Sequence, residues 1–375
     1  MARTAHKDEE YMREVVDEES VVDEQATRIA HLIGQAKHFV VFTGAGVSTS
    51  AGIPDFRGPQ GVWTLRAQGK APPGGVSSIK ASPTRGHMAL VALERAGYLK
   101  YLISQNTDGL HRRSGFPSLK LAELHGNTNL ETCDKCGKEY FRDFSCRARG
   151  GGVHEHLTGR KCTCGGRLKD SIINFNEDLP DGPLEAGFEN AKKADVMLVL
   201  GSSLTVTPAA LMPRRTAERG GQLIICNLQK TPLDGLAAIR SHARTDDLMT
   251  RVAAKLGVPI PEWRLQRQVR VTVDRSGMVE VAGVEPDGTP ASIFAGVEIR
   301  VPSLNVDQRL TEEPFVCRLP VASSAGGLSG TLVLHFYGHY NEPPLALPCQ
   351  FHAGTSQSYR LWFNPRTGEW QCEKM

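Results

Sequence analysis

The stretch GAGVSTSAGIPDFRG, Gly44 to Gly58, follows the apolar run HFVVFT of residues 38–43. Such a run reads as a buried strand, and a strand that breaks into Gly-Ala-Gly lets the backbone approach a phosphate. The pattern stops short of a dinucleotide fingerprint. The third glycine of G-x-G-x-x-G belongs at position 49, where Thr49 stands. No acidic residue ends a second strand about 20 residues later. Pro54, Asp55, Phe56 and Arg57 come at once instead. The loop therefore predicts nucleotide chemistry other than hydride transfer.

The flanking sequence sets this loop in an α/β frame. Val22, Ala26, Ile29 and Ile33 recur at helical spacing, as do Met88, Leu90, Val91 and Leu93 within Thr84 to Gly97. Between them, residues 58–83 are rich in Gly, Pro, Ser and Lys, the composition of a long mobile loop. YLISQNTDGLH from Tyr101 and LAELHGNTNLETC read as short strands running into polar turns. DVMLVLGSSL (195–204) and GQLIICNLQ (221–229) are apolar runs ending in small or polar residues, with helical segments at 184–193, 207–219 and 245–256. The alternation predicts an α/β fold with a parallel sheet over residues 21–262, its site at the C-terminal strand ends. A cysteine-bearing part at about 126–171 interrupts the pattern.

After Trp263 the character changes. VRVTV, VEIRV, TLVLHFY and YRLWF are short runs separated by turn signals such as Ser276-Gly277, Asp287-Gly288 and Ala325 to Gly330. They predict a C-terminal all-β domain, a sandwich or barrel. The expected organisation is a poorly ordered polar arm over 1–20, an α/β domain over 21–265 with a small inserted module, and a β-rich domain over 266–375.

Composition narrows the function classes. The 375 residues are 40% hydrophobic and 23% charged, which suits a globular protein in water. No apolar run reaches membrane-spanning length, so no membrane partner is expected. The charged start MARTAHKDEEYMREVVDEES has no apolar core of a secretory signal. A net charge of +3 is too small to argue for nucleic acid or an anionic surface. The nine cysteines are odd in number, and four stand in two close pairs, which favours a metal over a disulfide framework.

CDKCGK places Cys133 and Cys136 in a C-x2-C knuckle followed by Gly137. After 25 residues, KCTCGG offers Cys162 and Cys164 with Gly165-Gly166 behind. Four thiolates with no position left open suit one tetrahedral structural Zn2+. A mixed site using His154, His156 or Cys146 is the competing arrangement, and reduced surface thiols are the bland one. Lys135, Lys138, Arg142, Arg147, Arg149, Arg160, Lys161, Arg167 and Lys169 outnumber the local acids. A basic zinc module could touch nucleic acid or a nucleosome, although such charge is more often a solvated face.

His125 in ELHGN is a candidate general base, since histidine titrates near neutral pH. QNTDG carries Gln105, Asn106 and Asp108, and GSSL carries Gly201, Ser202 and Ser203. Asn227 follows LIIC. Each signal is weak alone: a lone histidine is usually structural and QNTDG could be a turn. Their shared placement at apparent strand ends predicts one ligand-binding edge.

The order of these motifs resembles the sirtuin family, over about residues 21–262. PDFRGPQGVWT, HLTGRKC and NLQKTP look most like the nuclear branch containing human sirtuins six and seven. The resemblance implies a Rossmann-type large domain with a small zinc module, and an NAD-dependent protein lysine deacylase acting on an acylated lysine protein, a histone among the candidates, in the nucleus or cytoplasm. It implies that Ala45, Gly46, Ser48 and Thr49 cradle the NAD pyrophosphate. Phe56 and Arg57, with Trp63 nearby, would cover the nicotinamide-ribose and phosphate side. Gln105, Asn106 and Asp108 would hold nicotinamide and its ribose. Gly201, Ser202 and Ser203 would contact phosphate and adenosine ribose; Asn227, Gln229 and Thr245 would hold the adenosine end. His125 would be the general base. NAD would be consumed, with nicotinamide released and the acyl group passed to ADP-ribose.

One departure concerns the substrate. The family's peptide strand commonly reads V-x-F-G-E, whereas Ile173, Asn174, Phe175, Asn176 and Glu177 stand here. These residues would still pair with a substrate backbone by strand addition. Two other readings share the motifs: a protein mono-ADP-ribosyltransferase, and a zinc-dependent chromatin or RNA-binding module with an inactive NAD site.

Overall fold

The computed structural model describes residues 8–71, 74–148, 154–320 and 327–375. Arg149 and part of the turn signal at 325–330 lie outside them. The chain divides into two compact units, Met1–Thr128 with Ser171–Trp263, and Asn129–Asp170 with Arg264–Met375.

The first unit is built on a six-stranded sheet. From one edge to the other its strands are Ile239–Ser241, Gln222–Cys226, Val196–Leu200, Phe39–Thr43, Leu99–Ser104 and Leu121–Glu123. Every pairing is parallel. Phe39–Thr43 and Val196–Leu200 are buried at every position, as strands covered on both faces must be. Phe39 and Val41 pack on one side with Ile29 and Ile33 of helix Glu19–Gln35, Leu90 of Arg85–Arg95 and Leu248 of Thr245–Lys255. Val40 and Phe42 pack on the other with Ala191 of Asp181–Lys193 and Met212 of Leu211–Glu218. Successive strand residues point to opposite faces, so one strand feeds both cores. The strand order reverses between Phe39–Thr43 and Val196–Leu200, which opens a crevice at their C-terminal ends.

Three elements differ from expectation. Residues 58–83 are not loop throughout: Val62–Ala67 is helical. The turn before it is closed by Val62 N–H to Asp55 C=O at 2.9 Å and Trp63 N–H to Phe56 C=O at 2.9 Å. The segment at 207–219 becomes helical only at Leu211. Residues 8–17 of the polar arm are tied down by backbone bonds, among them Val15 N–H to Leu228 C=O at 2.9 Å.

The second unit is all β. Its large sheet runs Glu369–Lys374, Thr355–Asn364, Leu265–Val273, Met278–Val284, Pro290–Ser292, Glu139–Arg142, Leu130–Cys133, Arg167–Asp170 and Leu157–Lys161. A four-stranded antiparallel sheet, Val306–Leu310, Phe294–Val301, Leu328–Phe336 and Leu345–Phe351, shares its core. The cysteine-bearing strands thus continue the C-terminal sheet. The join is the parallel pairing of Ala291 with Phe141 and Ser292 with Arg142. Leu130 and Phe141 enter the same apolar cluster as Val269, Val271, Val297 and Leu332. A buried ion pair crosses the join, Arg267 Nη2 to Asp143 Oδ2 at 2.6 Å.

Candidate functional site

Because the first sheet is wholly parallel, the segments after Thr43, Ser104, Glu123, Leu200 and Cys226 emerge at one edge. These are the glycine loop, QNTDG, ELHGN, GSSL and NLQ. Gly44 N–H donates to Leu200 C=O at 3.0 Å and Gly46 N–H to Gly201 C=O at 2.9 Å. A Cβ on Gly46 would stand 2.7 Å from Gly201 Cα, and one on Gly44 2.7 Å from Gly201 O. Glycine is required here because two backbones touch at the crevice floor. Ala45 begins a short 3-10 turn, and Thr49 Oγ1 bonds Gly46 C=O at 3.0 Å.

Ser48, Asn106 and Asp108 form a buried group. Ser48 Oγ donates to Asp108 Oδ2 at 2.7 Å, and Asn106 Nδ2 to Gly44 C=O at 3.1 Å. The second Asp108 oxygen accepts Leu110 N–H at 2.9 Å. Ser202 Oγ donates to Gln105 Oε1 at 2.8 Å. The Gln105 carbonyl meets His125 Nδ1 at 2.9 Å. A carbonyl only accepts, so Nδ1 carries the hydrogen and Nε2 keeps its lone pair. Burial pushes the His125 pKa down, and the Gln105 bond opposes this. The imidazole is therefore neutral, and able to take a proton, at pH 7. Gly126 makes the turn behind it at φ +79°, where an added Cβ would lie 1.7 Å from Ser171 O.

Above the glycine loop, Phe56, Trp63 and Phe175 form an aromatic group, with ring centroids 4.7 Å and 5.4 Å apart in succession. The Arg57 guanidinium lies 4.5 Å from the Trp63 ring centroid, and its Nη1 is 3.5 Å from Ser203 Oγ. Burial lowers the Arg57 pKa to about 10, against the Asp55 carboxylate that raises it. Arg57 therefore stays charged at neutral pH. Asp55 is pushed up by burial while accepting Gly58 N–H at 3.0 Å.

Asn227 and Gln229 lie on one loop, with Asn227 Nδ2 bonded to Gln229 C=O at 2.9 Å. Thr245 starts the last helix of this unit, one residue before Asp246. Asp246 bonds Ser50 Oγ at 2.7 Å and Gly86 N–H at 2.7 Å, a tie between glycine loop and helix that sequence reading missed. An acid in a helix first turn was its available signal. Also missed was a buried histidine pair beneath the loop. His111 Nε2 is 2.9 Å from Thr43 Oγ1, and its ring centroid is 4.7 Å from that of His87. Burial lowers both pKa values to about 3.

Ile173 and Asn174 belong to no strand and residues 175–177 turn, where an extended strand was expected. Ile173 N–H bonds His125 C=O at 3.1 Å. The Glu177 carboxylate accepts Asn174 N–H at 2.6 Å and Asn174 Nδ2–H at 3.0 Å, closing the turn. Asn176 has φ +69°, a left-handed conformation asparagine adopts more readily than most residues. It thus fills a backbone position that also suits glycine.

In the second unit, Cys133, Cys136, Cys162 and Cys164 bring their sulfurs within 4.8 Å of one another. Cys133 to Cys164 is 3.5 Å, Cys136 to Cys162 is 3.7 Å and Cys136 to Cys164 is 3.4 Å. Tetrahedral bonds of about 2.3 Å put sulfurs ~3.8 Å apart, so the set fits Zn2+. Lys135 N–H and Cys164 N–H point at Cys133 and Cys162 sulfurs from 3.4 and 3.5 Å. Among the described residues the four cysteines alone form such a group; His156 Nδ1 is engaged by Asp170 at 2.9 Å, and Cys146 Sγ lies near Phe144 C=O. Arg160 and Arg142 of the basic cluster are both paired with the buried Glu131.

A Sir2 family model matches residues 74–208. The chain is 46% identical over 371 residues to "NAD-dependent protein deacetylase SRT1" of Arabidopsis thaliana, covering 93% of this chain and 76% of that protein. It is 40% identical over 257 residues to "NAD-dependent protein deacetylase Sirt6" of Drosophila melanogaster, covering 67% and 81%. A solved structure titled "Sir2-p53 peptide-NAD+" is 31% identical, with TM-score 0.48, covering 61% of this chain and 98% of that one. The match to the Arabidopsis protein is long enough to extend well into the C-terminal β region.

Proposed function

The chain belongs to the Sir2 family, and from that membership we infer that it is an NAD-dependent protein lysine deacylase. The observation that carries the reading is His125. It stands at the ligand edge of the parallel sheet with Nδ1 committed to the Gln105 carbonyl, which leaves Nε2 as the proton acceptor. NAD supplies the nicotinamide leaving group and the ribose that receives the acyl group. The chain's own residues hold, shield and deprotonate.

The touching backbones at Gly46 and Gly201 form the floor on which the pyrophosphate rests, with Ala45, Ser48 and Thr49 on one wall and Ser202 and Ser203 on the other. Asp108, Asn106 and Gln105 are fixed by neighbours before any ligand arrives, so little reorganisation is needed as positive charge develops on the ribose. Phe56 and Trp63 exclude water from that sugar, and Arg57 faces the phosphates. His125 Nε2 takes the proton of a ribose hydroxyl. Asn227, Gln229 and Thr245 bound the adenosine end. Ile173, Asn174, Phe175 and Asn176 would border the acyl-lysine peptide. Cys133, Cys136, Cys162 and Cys164 would hold Zn2+; four thiolates complete its shell, so its contribution is to the fold. On the likeness of PDFRGPQGVWT and NLQKTP to the nuclear branch, the substrate we favour is a nuclear protein such as a histone.

The test is a panel of acyl-lysine peptides incubated with NAD. Nicotinamide release should depend on the peptide, and His125→Ala should abolish formation of the free-lysine peptide while the thermal transition stays in place. Label passing from the ADP-ribose part of NAD to protein, with the acyl group retained, would reverse the reading.

A further inference from the structure

Gln229 is buried, and its side-chain amide has two hydrogens. Nε2 lies 3.0 Å from the carbonyl of Met12 and 3.1 Å from the carbonyl of Arg57. One small group therefore joins three segments: the N-terminal arm, the aromatic lid after the glycine loop, and the NLQ loop. The arm is held at further points. Glu14 and Gln229 form an antiparallel bridge, and Val15 N–H donates to Leu228 C=O at 2.9 Å. Asp17 N–H donates to His242 C=O at 3.2 Å. The Asp17 carboxylate accepts His242 N–H at 2.7 Å and Gln25 Nε2–H at 3.0 Å. Glu10 pairs with Lys230 Nζ at 2.5 Å, an exposed contact of little weight. The Glu14 carboxyl is pushed up by burial and then by the neighbouring Asp55, so the arm also reaches the residue that shapes the lid.

We infer that Met12 to Asp17 is a positioning strap for NAD: it fixes Gln229 and the Arg57 backbone, and so sets cofactor affinity from outside the sheet. This rests on the NAD-dependent reading of the site. The strap touches the NLQ loop and the lid backbone; His125 is held by Gln105 and Ile173 instead. Its loss should therefore raise KM for NAD and spare kcat.

Two variants separate the contributions. Removal of residues 1–13 takes away the Met12 carbonyl. Val15→Pro removes the N–H that bonds Leu228. Each should raise KM for NAD by about 5- to 20-fold, the effect of one or two lost hydrogen bonds, with kcat within about twofold and KM for acyl-peptide unchanged. Combining the deletion with Val15→Pro should add little to either alone, because both release one strap. Calorimetric titration of NAD, run beside the kinetics, isolates the strap from the reaction. A wild-type chain that binds NAD without deacylating would count against the proposed function only. Equal NAD affinity in wild type, deletion and Val15→Pro, all with matching thermal transitions, would overturn the strap. So would a fall in kcat at constant KM.

Discussion

Replacing Arg267 by methionine probes the least expected feature of the fold, the continuity of the zinc-bearing strands with the C-terminal sheet. The Arg267 and Asp143 side chains are 6% and 4% exposed, and their charged atoms lie 2.6 Å apart. Arg267→Met leaves the Asp143 carboxylate buried without its cation. Breaking one side of a buried pair costs about 3–5 kcal/mol, more than the pair itself is worth. Arg267 Nε has no hydrogen-bond partner among the described residues, so the pair is not a fully satisfied network. Hence Arg267→Met with Asp143→Leu should be less damaging than the single change, with a coupling of about 1–3 kcal/mol. The assay is hydrogen exchange across a urea series, read by mass spectrometry on peptides from 129–142 and 265–292. In Arg267→Met both groups should lose protection together, at a lower urea concentration than in wild type. A loss of stability under about 1 kcal/mol, or C-terminal peptides that open while the zinc strands stay protected, would refute the role given to this pair.

Three further outcomes follow from the same geometry. His87 and His111 have folded pKa values of about 3 against an ordinary 6.5, so between those values the unfolded chain takes up protons that the folded chain refuses. The stability that depends on both staying neutral is thus complete above about pH 6.5 and falls as pH drops below it; His87→Gln with His111→Gln should lose less between pH 7.5 and 5 in urea titrations. Gly126→Ala forces a Cβ to 1.7 Å from Ser171 O at φ +79°, and should cut deacylation about 100-fold by displacing His125, with a strain of about 1–3 kcal/mol in the thermal transition. Metal analysis should find one zinc per chain, lost in Cys162→Ser and retained in His156→Ala, since only the former belongs to the four-sulfur cluster.

Much of the fold was legible because its signals are local. Continuous apolar runs such as VMLVL mark strands buried on two faces, and the alternation of LQRQVRVTV marks a strand buried on one. The glycine loop, QNTDG, ELHGN and GSSL were readable as strand-end motifs, and the sheet brings them together because every strand is parallel. What was not legible depends on contacts between distant residues. Ser292 pairs with Arg142 across 150 positions, and nothing in PAS or EYFR announces that partner. The clamp from Gln229 to Met12 spans 217 positions and ends on a backbone carbonyl, which carries no side-chain signature. The turn at Asn174 to Glu177 was missed for a different reason. INFNE has the apolar content of a strand, and the left-handed Asn176 with the Glu177 cap decides otherwise.

Stoichiometry tests the proposed chemistry most directly. Wild-type protein is incubated with NAD and an acyl-lysine peptide, and nicotinamide, free-lysine peptide and O-acyl-ADP-ribose are counted by mass spectrometry. Deacylation by a His125 base predicts the three products in equal amounts, and none of the free-lysine peptide from His125→Ala. Nicotinamide formed with the acyl group still on the peptide would contradict it.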